Sequence, residues 1–266
     1  MSTYPTAQTL LLDATPGWLT IWLNRPEARN ALSQDMSDEL MATLDHAAND
    51  PSLRGVSLRG SNGVFCAGGD LKGFQNALQV QAVDAVEAVS RRAGQLFERI
   101  QTLPQVVLML VDGPAMAGGM GMVCAGDVVV ATGAASFALT EATLGLPPAQ
   151  IAPYVVARLG LRTARRLMLT AARIDALEAE RIGLVDFLVP DVAALEAKES
   201  EIRRAVMRCA PGANAVTKDI VLATARLNTA EMQAYAAQGF ARCMLGDEGR
   251  EGVASFLEKR KPAWAL

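Results

Sequence analysis

The sequence predicts an α/β fold, and three observations carry that prediction. Short apolar runs of strand character alternate with helix-compatible stretches through the first two thirds of the 266 residues. One run, Val106-Val107-Leu108-Met109-Leu110-Val111, is too short to cross a membrane and reads as a buried strand. From Ile151 onward the pattern is mostly helical, and the stretch after Pro211 is rich in Ala, Met and Leu. No fixed-period repeat and no long linker interrupts the chain. Propensity alone does not choose among α/β folds.

Taken in order, Thr9-Leu10-Leu11-Leu12-Asp13 and Leu19-Thr20-Ile21-Trp22-Leu23 read as two strands around the turn Thr15-Pro16-Gly17. Residues 24–30, Asn-Arg-Pro-Glu-Ala-Arg-Asn, form a polar loop. Ser33 is a plausible helix N-cap, and Met36, Leu40 and Leu44 then share one face at four-residue spacing. Asp50-Pro51 ends that helix. Residues 55–59 alternate like a strand, Ser61-Asn62-Gly63 is a turn, and Val64-Phe65-Cys66 is a short apolar return. Residues 80–101 look helical, with Val83, Val86, Ala93, Leu96, Phe97 and Ile100 as the apolar side. After the central run come strands at 128–132 and 136–139, then the rigid loop Leu144-Gly145-Leu146-Pro147-Pro148. Helices are expected over 157–169, 176–182 and 192–209.

Bulk properties exclude several functions. A hydrophobic content of 51% supports a full core and argues against broad disorder. The net charge of -3, with no large basic block, argues against nucleic acid as the main partner. The short pairs Arg91-Arg92, Arg165-Arg166 and Arg203-Arg204 read as solvated helix faces. The four cysteines show no CxxC spacing, so neither a disulfide framework nor a zinc site is expected, and Cys66 and Cys124 read as small buried hydrophobes. The N-terminal residues lack a basic-then-apolar signal pattern, and no apolar run reaches the length of a membrane span. A soluble protein of a reducing, cytoplasmic compartment is expected. The single histidine, His46, reads as a surface helix residue, which makes Ser-His-Asp hydrolysis and His-ligated metal chemistry poor candidates.

Two glycine turns remain. Ala67-Gly68-Gly69-Asp70-Leu71 follows the short return at 64–66. Asp112-Gly113-Pro114-Ala115-Met116-Ala117-Gly118-Gly119-Met120-Gly121 follows the central strand and leads into the apolar segment Met122-Val123-Cys124-Ala125. Glycines at a helix start let another molecule approach the backbone, and the first N–H groups there lack an intrahelical partner. Each turn reads either as a means of close packing or as one donor of an oxyanion hole. Neither cluster has the dinucleotide-binding or phosphate-loop pattern. Glu141 follows a strand and precedes a Pro-rich turn. It reads either as a solvated loop or helix-start glutamate, or as a desolvated carboxyl whose pKa is raised into the range useful for proton transfer.

Together these stretches resemble the crotonase (enoyl-CoA hydratase/isomerase) superfamily. The resemblance covers almost the whole length. It rests on residues 23–32, on Phe65-Cys66-Ala67-Gly68-Gly69-Asp70-Leu71, on residues 112–121 with Asp127, on residues 137–148, and on Glu251-Gly252-Val253-Ala254-Ser255-Phe256-Leu257-Glu258-Lys259-Arg260-Lys261-Pro262. It implies a spiral of ββα units over residues 1–200 and a helical oligomerisation region over residues 201–266, building a homotrimer or a dimer of trimers. It implies that the N–H groups of Gly69 and Gly118 hold the thioester oxygen of an acyl-CoA while an enolate forms. Ala28, Arg29, Ala31, Ala67, Asp70 and Leu71 would lie along the coenzyme A. Phe256 and Lys259 would approach its nucleotide end from a neighbouring subunit. No cofactor or metal is implied beyond the coenzyme A carried by the substrate, and neither nucleic acid nor membrane is an expected partner.

One departure bears on the reaction. Hydratases of this superfamily generally use two glutamates; Glu141 matches one, whereas Gly121 stands at the other. A lone carboxylate suits Δ3-Δ2 isomerisation, which shuttles a proton between C2 and C4. Residues 144–156, however, are similar to a subgroup that hydrates branched glutaconyl-CoA esters, where the glycine turn also tends to lack the first glutamate. A carboxylate on such a substrate would want a partner such as Gln150 or Arg158. The expected activity is therefore hydration of an enoyl-CoA by Glu141. Isomerisation is the alternative enzyme reading, and a CoA-ester-binding scaffold with little turnover is the alternative of another class.

Overall fold

The computed structural model describes residues 4–70 and 82–265. Strands β1 (Leu10–Thr15) and β2 (Trp18–Leu23) form an antiparallel hairpin. Strands β3 (Gly55–Gly60), β4 (Val106–Val111), β6 (Val128–Thr132) and β9 (Phe187–Val189) add to it in parallel, in the order β1-β2-β3-β4-β6-β9. A smaller sheet has the order β5-β7-β8, from β5 (Pro114–Met116), β7 (Ser136–Ala138) and β8 (Ile174–Asp175). Every residue of β3 is buried, and so are five of the six in β4. That pattern requires cover on both faces, as is usual for parallel sheets.

Helices supply the cover. α1 (Gln34–Ala48) starts at Ser33, whose Oγ accepts from the Met36 N–H at 3.2 Å, and its Met36, Leu40 and Leu44 are fully buried. α2 (Val83–Thr102) differs from its expected apolar side. Leu96, Phe97 and Ile100 are buried, but Val83, Val86 and Ala93 are exposed, so only the last turns of the helix lie on the core. α3 (Gly118–Ala125) is the glycine-led helix and is buried from Gly119 to its end, as a helix apolar all round must be. α4 (Ala152–Thr170) contains a break at Gly160, where φ is 73° and ψ is 157°, so the single helix expected there is two pieces. α5 (Ala176–Arg181) is capped by Asp175.

α6 (Val192–Met207) crosses residue 200, where the sequence suggested a division, and packs on the outer sheet face over Trp18, Leu108, Leu110 and Val130. A buried polar chain ties it down. Trp18 Nε1 donates to Ser57 Oγ at 2.8 Å, and Ser57 Oγ donates to Glu199 Oε1 at 2.6 Å. Arg203 pairs with Glu199, donates to Thr20 Oγ1 and lies over the Trp18 ring. Arg203 is therefore a packing residue rather than the solvated charge expected. α7 (Pro211–Ala223), α8 (Thr229–Leu245) and α9 (Asp247–Leu257) complete the chain. Lys218 anchors α7 to the core: its Nζ donates to the Leu103 and Gln105 carbonyls and sits 2.5 Å from Asp127. Phe240, Leu245, Phe256 and Leu257 on α8 and α9 are exposed. Among the described residues, no helix is long and apolar enough to cross a membrane.

Candidate active site

Three parallel segments meet in register and place the three principal candidates. Cys66 bridges in parallel to Ala115 of β5, and Ala115 pairs in parallel with Phe137 of β7. The Cys66 and Met116 N–H groups, donating to Pro114 O and Cys66 O at 3.1 and 2.8 Å, make the first link. Gly69 follows Cys66 by three residues, Gly118 follows Ala115 by three, and Glu141 follows Phe137 by four. All three thus emerge at the carboxyl ends of adjoining parallel segments, where α/β folds commonly place ligands.

The two glycine turns touch. Gly68 has φ +101°, and a Cβ there would lie 2.8 Å from Ala117 Cβ and 3.3 Å from Met116 O. Gly68 and Ala117 are the residues immediately before Gly69 and Gly118. Ala117 itself has φ 48° and ψ -120°, a sparsely populated conformation for a residue with a Cβ. It is held there from both ends: its N–H donates to Ala138 O at 2.8 Å, and its carbonyl accepts from Gly121 N–H at 3.0 Å. Among the described residues, no acceptor meets the N–H of Gly69 or of Gly118.

Glu141 opens the 3-10 turn Glu141–Leu144, which Gly145 closes in the left-handed region. Its Oε2 is buried and meets no hydrogen-bond partner among the described residues. Burial raises its pKa above the ordinary glutamate value, opposed only by a hydrogen bond to its own backbone. The carboxyl is therefore half desolvated with one oxygen unsatisfied, the condition of a group suited to hold and move a proton.

The loop after β2 is laced to the first glycine turn. Arg25 donates to Ala31 O and to Asp70 Oδ2, the latter at 3.1 and 3.2 Å. Ala67 N–H donates to Arg29 O, Leu32 N–H to Gly68 O, and Asp70 N–H to Leu32 O. Fully buried Asn30 accepts from Arg25 N–H and donates to the Ser61 and Val64 carbonyls. These bonds gather Ala28, Arg29, Ala31, Ala67 and Asp70 beside Gly69. Leu71 lies outside the described residues. Phe256 is 82% exposed, and neither it nor Lys259, beyond the end of α9, is bonded to this cluster. Arg158 is spoken for: it donates to the Leu184 and Gly126 carbonyls and pairs with Asp186 at 2.6 Å. Gln150 donates to Ser90 Oγ at 3.0 Å, and its Oε1 packs over Gly94. Both side chains are engaged with neighbouring elements of the fold rather than with the cluster around Gly69.

Sequence reasoning missed Ala117, Ile151 and Phe97. Ala117 carries no signal beyond lying next to a glycine. Ile151, the N-cap of α4, and Phe97 of α2 crowd Gly121, a contact between segments far apart in the chain.

Comparisons with known proteins bear on the family and the fold. The family model described as Enoyl-CoA hydratase/isomerase matches residues 14–265. The enoyl-CoA hydratase EchA19 of Mycobacterium tuberculosis is 33% identical over 264 residues, covering 98% of this chain and 98% of that protein. The mevalonyl-coenzyme A hydratase sidH of Aspergillus fumigatus is 34% identical over 265 residues, covering 98% and 96%. Among solved structures, Pseudomonas aeruginosa AtuE superposes with a TM-score of 0.94 at 46% identity, covering 97% of this chain and 100% of that one. An enoyl-CoA hydratase/isomerase from Marinobacter aquaeolei gives 0.93 at 38% identity, covering 97% and 99%.

Proposed function

The chain belongs to the enoyl-CoA hydratase/isomerase family of the crotonase superfamily, an enzyme family acting on acyl-CoA thioesters, and on that premise we propose that it adds water across the C2=C3 bond of an enoyl-CoA. The observation that carries this reading is the emergence of Gly69, Gly118 and Glu141 from three paired parallel segments. The N–H groups of Gly69 and Gly118 take the thioester oxygen. Glu141 Oε2 takes a proton from a water as that water's oxygen bonds to C3. The C2=C3 electron pair moves toward the thioester, whose carbonyl becomes an enolate oxygen under the two donors. The enolate collapses, and C2 takes the proton back from Glu141. Atoms balance as one water added, and the reaction uses no cofactor beyond the coenzyme A of the substrate.

Ala28, Arg29, Ala31, Ala67, Asp70 and Leu71 line the coenzyme A in this reading. Phe256 and Lys259 serve a neighbouring subunit's coenzyme A, which fits the exposure of Phe256 in the last turn of α9 and of Lys259 just beyond it. The exposed apolar residues of α8 and α9 supply the interface of a trimer, alone or paired into a hexamer. Four free cysteines fit a cytoplasmic location. A branched glutaconyl-CoA is one candidate substrate within this class, and the side chains of Gln150 and Arg158 are engaged elsewhere in the fold. Isomerisation is the second reading, favoured by the absence of a carboxylate at Gly121.

Glu141→Gln tests the assignment. It keeps the shape and removes the base, so turnover should fall by about 10²–10⁴-fold while CoA-ester affinity holds. Loss of binding together with turnover would make Glu141 a structural residue, and full turnover would remove it from the mechanism.

A further inference from the structure

We infer that Ile151 is a specificity-determining residue: its side chain fills the space that a side chain at position 121 would need, and gives the reacting end of the site an aliphatic wall suited to an acyl group branched at C3. A Cβ added at Gly121 would lie 2.3 Å from Ile151 Cγ2, 2.8 Å from Ile151 Cβ and 3.4 Å from Phe97 Cε1. The first two distances are to branch atoms of a β-branched residue, which has little rotamer freedom with which to yield. Ile151 is 4% exposed and stands at the N-terminus of α4, so the backbone cannot easily carry it away. Phe97 closes the other side; it is buried and its ring is tilted against Tyr154 at a centroid distance of 5.9 Å.

This packing adjoins the turn that carries the Gly118 N–H. Gly121 is in the first turn of α3, and its N–H returns to the carbonyl of Ala117, the residue before the Gly118 donor. Phe97 Cζ also lies 3.7 Å from where a Cβ on Gly118 would stand, beside Leu32 Cδ1 at 3.3 Å. Leu32 and Phe97 thus stand against the donor glycine, and Phe97 and Ile151 against Gly121 three residues on, all of them apolar. A side chain at position 121 cannot enter there while Ile151 is present, so position 121 offers no second carboxylate beside Glu141. An alkyl branch loses nothing against such a wall and gains contact with it. A larger branch is limited by the Ile151 methyl groups. Gly121 and Ile151 therefore act as one exchangeable pair: a small residue at 121 goes with a bulky one at 151.

The inference rests on the enoyl-CoA reading above, and its test separates the two. Wild type, Ile151→Ala, Ile151→Gly, Gly121→Glu and the double variant Gly121→Glu/Ile151→Gly are compared with crotonyl-CoA, which is unbranched, and with 3-methylcrotonyl-CoA and 3-methylglutaconyl-CoA. The readouts are kcat/KM, Kd for each ester and thermal midpoint. Gly121→Glu alone should lower the midpoint or fail to fold, and removing the Ile151 side chain should restore it. The double variant should raise the crotonyl-to-branched kcat/KM ratio at least tenfold over wild type, and Ile151→Ala should shift the same ratio without a new carboxylate. A stable Gly121→Glu protein unaffected by the change at 151, or ratios unchanged in both Ile151→Ala and the double variant, would overturn the inference. If wild type converts no ester, the proposed activity fails, and the same ratio taken from Kd values decides the role of Ile151.

Discussion

Gly68 and Ala117 lie in contact at the meeting of the two glycine turns, and a Cβ on Gly68 would stand 2.8 Å from that of Ala117. One of the two must lack a side chain, and the φ of +101° at Gly68 decides which. Each precedes a glycine whose N–H has no acceptor among the described residues. This contact joins the two turns directly, beside the Cys66–Ala115 bridge that holds them in register.

Gly68→Ala should therefore damage both stability and catalysis. The strained backbone alone costs about 1–3 kcal/mol, and the clash with Ala117 adds to it. Chemical denaturation should show the loss, and the folded fraction should show a kcat below wild type. A variant of wild-type stability and kcat would detach Gly68 from the geometry of the donors.

The buried carboxyl of Glu141 has consequences in pH. Its folded-state pKa is raised above the ordinary 4.5 by burial. The stability it contributes is fully present below the unfolded value and is lost as pH rises through the folded one. Glu141→Gln should therefore gain stability relative to wild type as pH rises from 4.5 through the raised pKa, with the difference closing in acid. For catalysis the base form is required, so the ascending limb of kcat/KM should lie above the usual glutamate range. Denaturation curves of both proteins across pH, with a pH–rate profile, check each part.

Lys218 ties the C-terminal helices to the core, and Lys218→Met should cost about 3–5 kcal/mol by leaving Asp127 without its cation. Burial raises the Asp127 pKa above 3.8 even with Lys218 beside it, and the variant would raise it further. The deficit of the variant should thus widen as pH climbs above 3.8 and narrow in acid, as urea titrations at several pH values would show.

The frame of the fold was legible because its signals are local. The Ser33 cap, the Met36-Leu40-Leu44 stripe and the run at 106–111 each state their structure within a few residues. Two features were not legible. Pro114–Met116 is a strand only because Cys66 and Phe137 flank it, and its Pro-Ala-Met sequence reads as the tail of a turn. Val83 and Val86 continue the apolar pattern of α2 but lie beyond the surface it packs on. Glu141 and the two glycine turns were singled out from their motifs, and the structure brings them to the ends of adjoining parallel segments. The contact of Ile151 with Gly121 joins residues thirty apart and leaves no mark in either segment. The same limit applies to Arg158 and Gln150, whose side chains make internal bonds that spacing cannot reveal.

The most direct measurement is mass spectrometry of the products formed from crotonyl-CoA, 3-hexenoyl-CoA and 3-methylglutaconyl-CoA in water enriched in heavy oxygen. The account predicts that at least one ester gains the mass of one water carrying the label, and that the same ester is untouched by Glu141→Gln. An unchanged mass with a shifted double bond would make the enzyme an isomerase, and tight ester binding with no conversion would make it a scaffold. Either result would contradict the assignment of Glu141 as the carboxylate that delivers water to C3.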